Sequence, residues 1–464
     1  MKILALVSLL ALPALAQERR DPRVEKIVAR IDAARMQATV AKLVGFGTRL
    51  TISDPNDPAR GIGAARKWLA GEFAAIAARP GARLKPFEDR FTAPVGRRIP
   101  APVEIVNVGA VVPGTDPLRA RQAIVMTGHY DSMPSDVLDP KADAPGANDD
   151  GSGTSMALEL AHALAAESPA ISIYLVAVAG EEQGLVGSQH LAERLKKEGV
   201  EVLAMVSVDI AGNSEGQDGV KDSTTGRLFS EGTPELESEA QKKLRLAIGN
   251  ENDSPSREWA RYLQRAGELY SSGLKLRVML RRDRIARGSD HMSFLHEGFP
   301  ALRMSEAREN YHRQHQTPRV ENGVQYGDDL AHFDAGYAAR LCRALAGAVA
   351  ALGFAPAAPQ EVLLASSNNP DAKLRWTLPA DARIRDVVLY RRPADAVQWE
   401  KRVALGKVSE VTMPSVNVDD WFFAVATADE AGNESLPQPP AVPPPPPSPP
   451  RSPPPPAPAT PAPR

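Results

Sequence analysis

Apolar residues recur along this chain with two different spacings. Helical spacing marks Gly63–Ala77, where Trp68, Leu69 and Phe73 share one face, and the stretch after Gly153, where Met156, Leu158, Leu160 and Leu164 recur. The same spacing predicts helices over Leu185–Lys197, Trp259–Leu269 and Asp334–Leu352. Between them lie short, continuous apolar runs. Val103, Ile105, Val106 and Val108 form one, Ala123–Thr127 a second, and Leu203–Val208 a third. Ile171–Ala179 is apolar and rich in β-branched residues, as expected of a central strand covered on both faces. Leu274–Leu280 and Phe299–Met304 read as further strands. Strand–helix alternation of this kind predicts an α/β sheet with parallel strands, whose functional residues lie at the strands' carboxyl ends.

The pattern changes at about residue 359. Leu374–Trp376, Val387–Arg391, Trp399, Val411 and Trp421–Ala426 mark short strands separated by turns, which predicts a small all-β sandwich over 359–437. It resembles a fibronectin type III module, including the Asp429–Ser435 stretch of the kind that closes such domains. Residues 438–464 are a proline tract, read as a polyproline II-rich, disordered tail, able to serve as a spacer or a cell-wall contact. At the other end, Met1-Lys2 precedes the apolar run Ile3–Ala16, which closes on Ala14-Leu15-Ala16. This reads as a signal peptide over residues 1–16, so the expected protein is exported, to the periplasm or beyond. No later segment is expected to span a membrane. The expected peptidase-like unit is 17–358, with the irregular, charged stretch 213–288 as an insertion walling the site.

Composition narrows the partners. Fifty-five Lys plus Arg stand against 57 Asp plus Glu, a net charge of -2, so nothing draws the chain to nucleic acid or an anionic membrane. The lone Cys342 excludes an intrachain disulfide and falls on an apolar helical face, as a core residue.

The chemistry lies where predicted strands end. Gly-His-Tyr-Asp-Ser occupies 128–132, Gly-Ala-Asn-Asp-Asp-Gly-Ser-Gly occupies 146–153, and the apolar run to Ala179 delivers Glu181-Glu182. Asp209 follows Val208. Imidazole and carboxylates at strand ends suit zinc, and two neighbouring zinc ions need several such ligands with a shared carboxylate. Adjacent glutamates point in different directions, so Glu182 can ligate while Glu181 faces a water as general base. Asp131, two residues beyond His129, can accept that ligand's other imidazole N–H.

These motifs, in this order, resemble the co-catalytic zinc aminopeptidases over residues 40 to 353. That family also takes in plasma glutamate carboxypeptidase and, more distantly, glutaminyl cyclase and the transferrin receptor ectodomain. Gly180-Glu-Glu-Gln-Gly-Leu-Val-Gly-Ser188 and Val208-Asp-Ile-Ala-Gly212 complete the match. The resemblance implies a mixed, mostly parallel sheet sandwiched by helices and two zinc ions per chain. It implies that His129 and Asp209 bind one zinc, that Asp149 bridges, and that Glu182 and a late histidine bind the other. Glu181 would be the general base and Asp131 the partner that orients His129. The chain departs from the family at the late histidine. Tyr311-His312-Arg-Gln-His315-Gln316-Thr317-Pro318 carries Gln316 where an acidic residue is usual. One frame selects His312, with Tyr311 as an oxyanion donor; a His-Thr-Pro ending with one inserted residue selects His315.

The expected activity is removal of N-terminal residues from peptides. A dipeptidase or carboxypeptidase would use the same metals and read a carboxylate, with Arg281, Arg282, Arg284 and Arg287 as candidates. A glutaminyl cyclase would use one zinc, and a non-catalytic binding member would be expected to have lost ligands. His162, His190 and His291 read as packing, surface or supporting residues. No Gly-x-Ser-x-Gly elbow is present, and His296-Glu297 lacks the second histidine of a zinc-protease helix.

Overall fold

The computed structural model describes residues 18–365 and 370–441, so the expected signal peptide and residues 442–464 of the tail lie outside it. Eight strands form one sheet: β1 Lys85–Ala93, β2 Val103–Val112, β3 Gln122–His129, β4 Ser172–Val178, β5 Glu201–Val208, β6 Thr225–Ser230, β7 Lys275–Met279 and β8 Ala301–Glu306. Their order across the sheet is β1-β2-β4-β3-β5-β8-β6-β7. The central four, β4, β3, β5 and β8, run parallel, while β2 and β6 join them antiparallel. This is the mixed, mostly parallel sheet expected.

Strand β3 shows why its sequence is apolar throughout. Ile124 and Met126 enter the core beneath one set of helices, and Val125 enters the core on the opposite face, as alternation along a strand requires. The first core holds the helices Gly61–Ala77, Gly151–Leu164 and Ala335–Phe354; the second holds Val186–Lys197 and His291–His296. Helix Ala335–Phe354 is long and apolar enough to cross a membrane, against the expectation that no late segment is. Most of it is buried in this core, including Cys342, which explains its composition without a bilayer.

The 213–288 stretch does more than wall a site. It supplies β6 and β7 to the sheet edge and the helix Pro255–Tyr270, and its two ends, at Asn213 and near Asp283, approach the strand termini that matter below.

Beyond Phe354 the chain builds two three-stranded antiparallel sheets, Gln360–Leu364 with Ala372–Thr377 and Glu410–Met413, and Lys401–Ala404 with Asp386–Pro393 and Trp421–Ala428. Leu374, Trp376, Val387, Leu389, Phe423 and Val425 fill the space between them. The sandwich is docked through polar contacts. Asn433 donates to Asp21 (2.7 Å), Trp399 to Glu258 (2.9 Å), and Tyr262 to the Glu434 carbonyl (3.0 Å).

Candidate active site

Close packing at the ends of β3 and β5 creates the site. Gly128 and Gly153 bring helix Gly151–Leu164 against β3: a Cβ on Gly128 would lie 2.3 Å from the Gly153 carbonyl carbon, and one on Gly153 would lie 2.1 Å from the Val208 oxygen. No larger residue fits either place. Asp150 caps this helix, accepting from Gly153 N (2.7 Å), and also takes the backbone N–H of His129 (3.0 Å). The Asp-Asp-Gly motif therefore ties the strand end to the helix start and leaves Asp149 projecting between them.

The expected residues converge. His129 is the last residue of β3; Glu181 and Glu182 follow β4, and Asp209 follows β5. The His129 Nε2 lies 3.1 Å from Asp149 Oδ1, and the opposite Asp149 oxygen lies 3.0 Å from His315 Nε2. His315 Nε2 is also 3.3 Å from Glu182 Oε1. Two triads can each bring one donor atom per residue within 4.8 Å: His129, Glu181 and Asp209, and His129, Asp149 and Glu182. Asp149 thus sits between two histidines from distant parts of the chain.

The structure separates the two late histidines. His315 enters the cluster, at a backbone φ of 52°. His312 does not: it lies on the turn Tyr311–Arg313, with its Nε2 3.2 Å from Gln217 and its ring centroid 4.9 Å from Tyr326. Of the two frames, this geometry favours the one that selects His315. Tyr311, the oxyanion donor of that frame, is 58% exposed.

Asp131 is placed differently from the expectation in one respect. His129 Nδ1 lies 3.1 Å from the Asp131 backbone carbonyl and 3.5 Å from its carboxylate. That carboxylate accepts instead from Thr51 Oγ1 (3.0 Å) and Glu182 N (3.1 Å). Its carbonyl fixes the imidazole, while its side chain holds the turn that carries the glutamate pair.

Charge in the site is lopsided. Burial, with the charges of Glu182, Asp209 and Asp290, pushes Glu181 well above the ordinary carboxylate range, and His129 only partly opposes this. Burial would also raise Asp149, but the charge of His315 and hydrogen bonds from His129 and His315 hold it well below. Burial would lower His129; the nearby carboxylates of Asp131, 3.5 Å away, and Asp149 override that and raise it. Glu182 Oε1 is buried and meets the His315 imidazole at 3.3 Å without a well-formed hydrogen bond. A surplus of buried carboxylates together with two imidazoles fits a multivalent cation with zinc's ligand preferences.

Sequence reasoning did not single out Arg303. It lies in β8, fully buried, with its guanidinium 3.1 Å from Asp209 Oδ1 and 3.3 Å from Asp283 Oδ1. The signal was present: a charge inside the apolar strand Phe299–Met304. His291, expected as a supporting residue, is buried with its Nε2 3.0 Å from the Arg282 carbonyl.

An α/β sheet whose parallel strands end in converging buried imidazoles and carboxylates defines a metal-dependent enzyme. The model of peptidase family M28 matches residues 107–327. A probable zinc metalloprotease of Leptosphaeria maculans is 41% identical over 406 residues, covering 87% of this chain and 94% of the relative. Another, from Pyrenophora tritici-repentis, is 40% identical over 419 residues, covering 89% and 86%. The solved structure of LapA from Legionella pneumophila superimposes with a TM-score of 0.52 at 21% identity, covering 71% of this chain and 76% of that one. The chain belongs to peptidase family M28 and is a zinc metallopeptidase.

Proposed function

We propose that this is an exported aminopeptidase acting with two zinc ions on peptides with a free N-terminus. His129, Asp209 and Asp149 would hold one ion, and Asp149, Glu182 and His315 the other. Zinc there supplies Lewis acidity and lowers the pKa of a water molecule. Glu181, whose carboxylate lies within reach of His129 and Asp209, takes the proton from that water and passes it to the leaving amine. The paired donor sets weigh against a one-zinc cyclase and against a member that has lost its ligands. The Asp429–Ser435 closure and two-sheet core support reading 359–437 as a fibronectin type III-like module.

The observation that carries the aminopeptidase reading is the fate of the nearby arginines. Arg284 and Arg287 are both tied to Glu309, at 3.1 and 3.4 Å, and Arg303 to Asp209 and Asp283. Arg282 pairs with Glu235. With Arg282, Arg284, Arg287 and Arg303 each paired and Arg281 exposed to solvent, these side chains are poorly placed to read a substrate carboxylate, which favours a substrate's free amine as the recognised end. One observation favours the dipeptidase or carboxypeptidase reading: among the described residues Arg98 donates to the Glu182 carbonyl (2.5 Å) alone and has further N–H groups to offer a substrate carboxylate.

The test is zinc analysis of the purified protein, paired with aminoacyl and N-blocked peptide substrates. About two zinc per chain with cleavage of free-amine substrates alone supports the proposal. Activity on N-blocked, free-carboxylate peptides that falls on Arg98→Ala replaces it with the second reading. One zinc per chain without hydrolysis refutes both.

A further inference from the structure

The segment that ends in Asp149 is gripped from two sides by buried charges outside the donor set. Arg49, fully buried, donates from Nη1 to the Pro145 carbonyl (2.5 Å) and from Nη2 to the Gly146 carbonyl (2.8 Å). Its Nε donates to the Tyr130 carbonyl (2.7 Å), one residue past His129. Gly146 has a φ of 56°, and a Cβ there would lie 2.8 Å from Arg49 Nη2, so only glycine allows the guanidinium this close.

Asp328 takes the next three amides. Its backbone carbonyl accepts from Ala147 N (3.1 Å), its carboxylate from Asn148 N (2.9 Å) and Asp149 N (2.6 Å). It is 5% exposed and follows the hairpin Arg319–Glu321 and Val324–Tyr326, on the same excursion that carries His315. The Asn148 side chain extends the contact, donating to Glu306 (2.9 Å) and accepting from Gly212 N (2.7 Å), three residues beyond Asp209. One backbone segment is thus fixed against the loops bearing His129, Asp209 and His315.

We propose that Arg49 and Asp328 are positioning residues: a donor clamp on two carbonyls and an acceptor clamp on the following amides, which together aim the Asp149 carboxylate between the two zinc sites. This rests on the two-zinc reading above. A carboxylate shared by two ions must present each oxygen to a different partner, and Asp149 already does so toward His129 and His315. A carboxylate is the right acceptor, since it offers both oxygens and no N–H. Asp328→Asn would turn one oxygen into a donor facing an amide N–H.

The test compares zinc retention against a graded chelator in the wild-type full chain, Asp328→Asn, Asp328→Ser and Arg49→Lys, with folding followed by circular dichroism. Asp329→Asn is the neighbouring control. In folded Asp328→Asn, zinc should be lost at ~10- to 100-fold lower chelator strength, the range seen when partners of metal ligands are removed. Activity should return when zinc is added in excess. Arg49→Lys, which keeps the charge but not the fork, should weaken retention in the same direction. Wild-type retention in folded variants that merely melt earlier would overturn the proposal. So would failure of both Asp328 variants to fold, which would assign the residue to the fold alone. A wild-type chain that holds fewer than two zinc ions would instead refute the two-zinc reading itself.

Discussion

Arg303 allows a prediction in which stability and metal binding move in opposite directions. Replacing it with methionine keeps length and apolar volume in β8 but removes the cation between Asp209 and Asp283. Both carboxylates are almost fully buried, at 4% and 8% exposure, and Arg303 is 0% exposed. Breaking a buried pair by removing one partner costs about 3–5 kcal/mol, and here two partners are left. Burial opposes the arginine's charge, but Asp209 and Asp283 override this and raise its pKa, so the cation is held by its neighbours. The loss should therefore be about 3–5 kcal/mol in the metal-free protein. With zinc bound as proposed, the ion would stand close to Asp209 and take over part of the compensation. The loss should then shrink by about 1 kcal/mol or more, which by linkage means zinc binds roughly fivefold tighter to Arg303→Met than to wild type. Urea titrations of both proteins, with chelator and with saturating zinc, measure all four free energies. A loss below about 1 kcal/mol without metal, or equal losses in both forms, would show that Arg303 contributes packing and not charge.

Three further outcomes follow from the site and its surroundings. Glu181→Gln should lower kcat by ~10²–10⁴ while zinc content stays at the wild-type level; loss of zinc would make Glu181 a ligand, which its place in a donor triad with His129 and Asp209 permits geometrically. His315→Ala should lose both zinc and activity, whereas His312→Ala should keep both, and the reverse result would reinstate the frame set aside above. Glu231, far from the site, has its pKa pushed up to about 7 from 4.5 by burial, with Glu235 adding and Arg282 opposing. Its folded form holds the proton more tightly than the unfolded chain, so stability falls as pH rises between these values and the full penalty persists above. Glu231→Gln should accordingly stabilise the protein by about 1–2 kcal/mol near pH 8, after allowance for solvent screening, and give no gain near pH 4. Chemical melts at the two pH values check this, and an equal gain at both would remove ionisation as the cause.

What was legible in the chain and what was not divide along a physical line. His129, Asp149, Glu181, Glu182 and Asp209 could be read because each follows an apolar run or opens a helix, where a local pattern sets its place. The sheet and sandwich were legible for the same reason, since periodicity reports burial. Strand β1 was not, because Lys85–Ala93 is an edge strand with polar residues on much of its surface and carries little alternation. The choice between His312 and His315 turned on a loop backbone that enters positive φ without a glycine, which no residue type announces. Arg49 and Asp328 are partners of backbone groups far along the chain, and a charged residue in sequence looks the same whether it meets water or, as Arg49 does, four backbone carbonyls.

The Asp429–Ser435 stretch shows the same limit and leads to a last prediction. It reads as the end of a sandwich, yet it is also part of a docking surface: Asn433 and Glu434 are each 1% exposed, one donating to Asp21 and the other receiving Tyr262. Beside them Arg392 donates to Asp253 (2.6 Å), which also meets Arg261 (2.7 Å), and Arg261 pairs with Glu258. Two cations and two carboxylates balance in a place where all four side chains are at most 6% exposed. Deleting the whole sandwich would return these charges to water, so it is a mild perturbation electrostatically. Arg392→Met is the severe one, because it keeps the interface closed over one uncompensated carboxylate, at about 3–5 kcal/mol. The chain can relieve that by undocking the sandwich and hydrating Asp253. The connection between Ala355 and Gln360, now held to the first domain by Arg119 on the Ala355 carbonyl (2.7 Å), should then become open to proteolysis. Limited digestion should cut Arg392→Met there while wild type resists, and a variant as resistant as wild type would mean that the docking rests on apolar contact and not on the balanced charges.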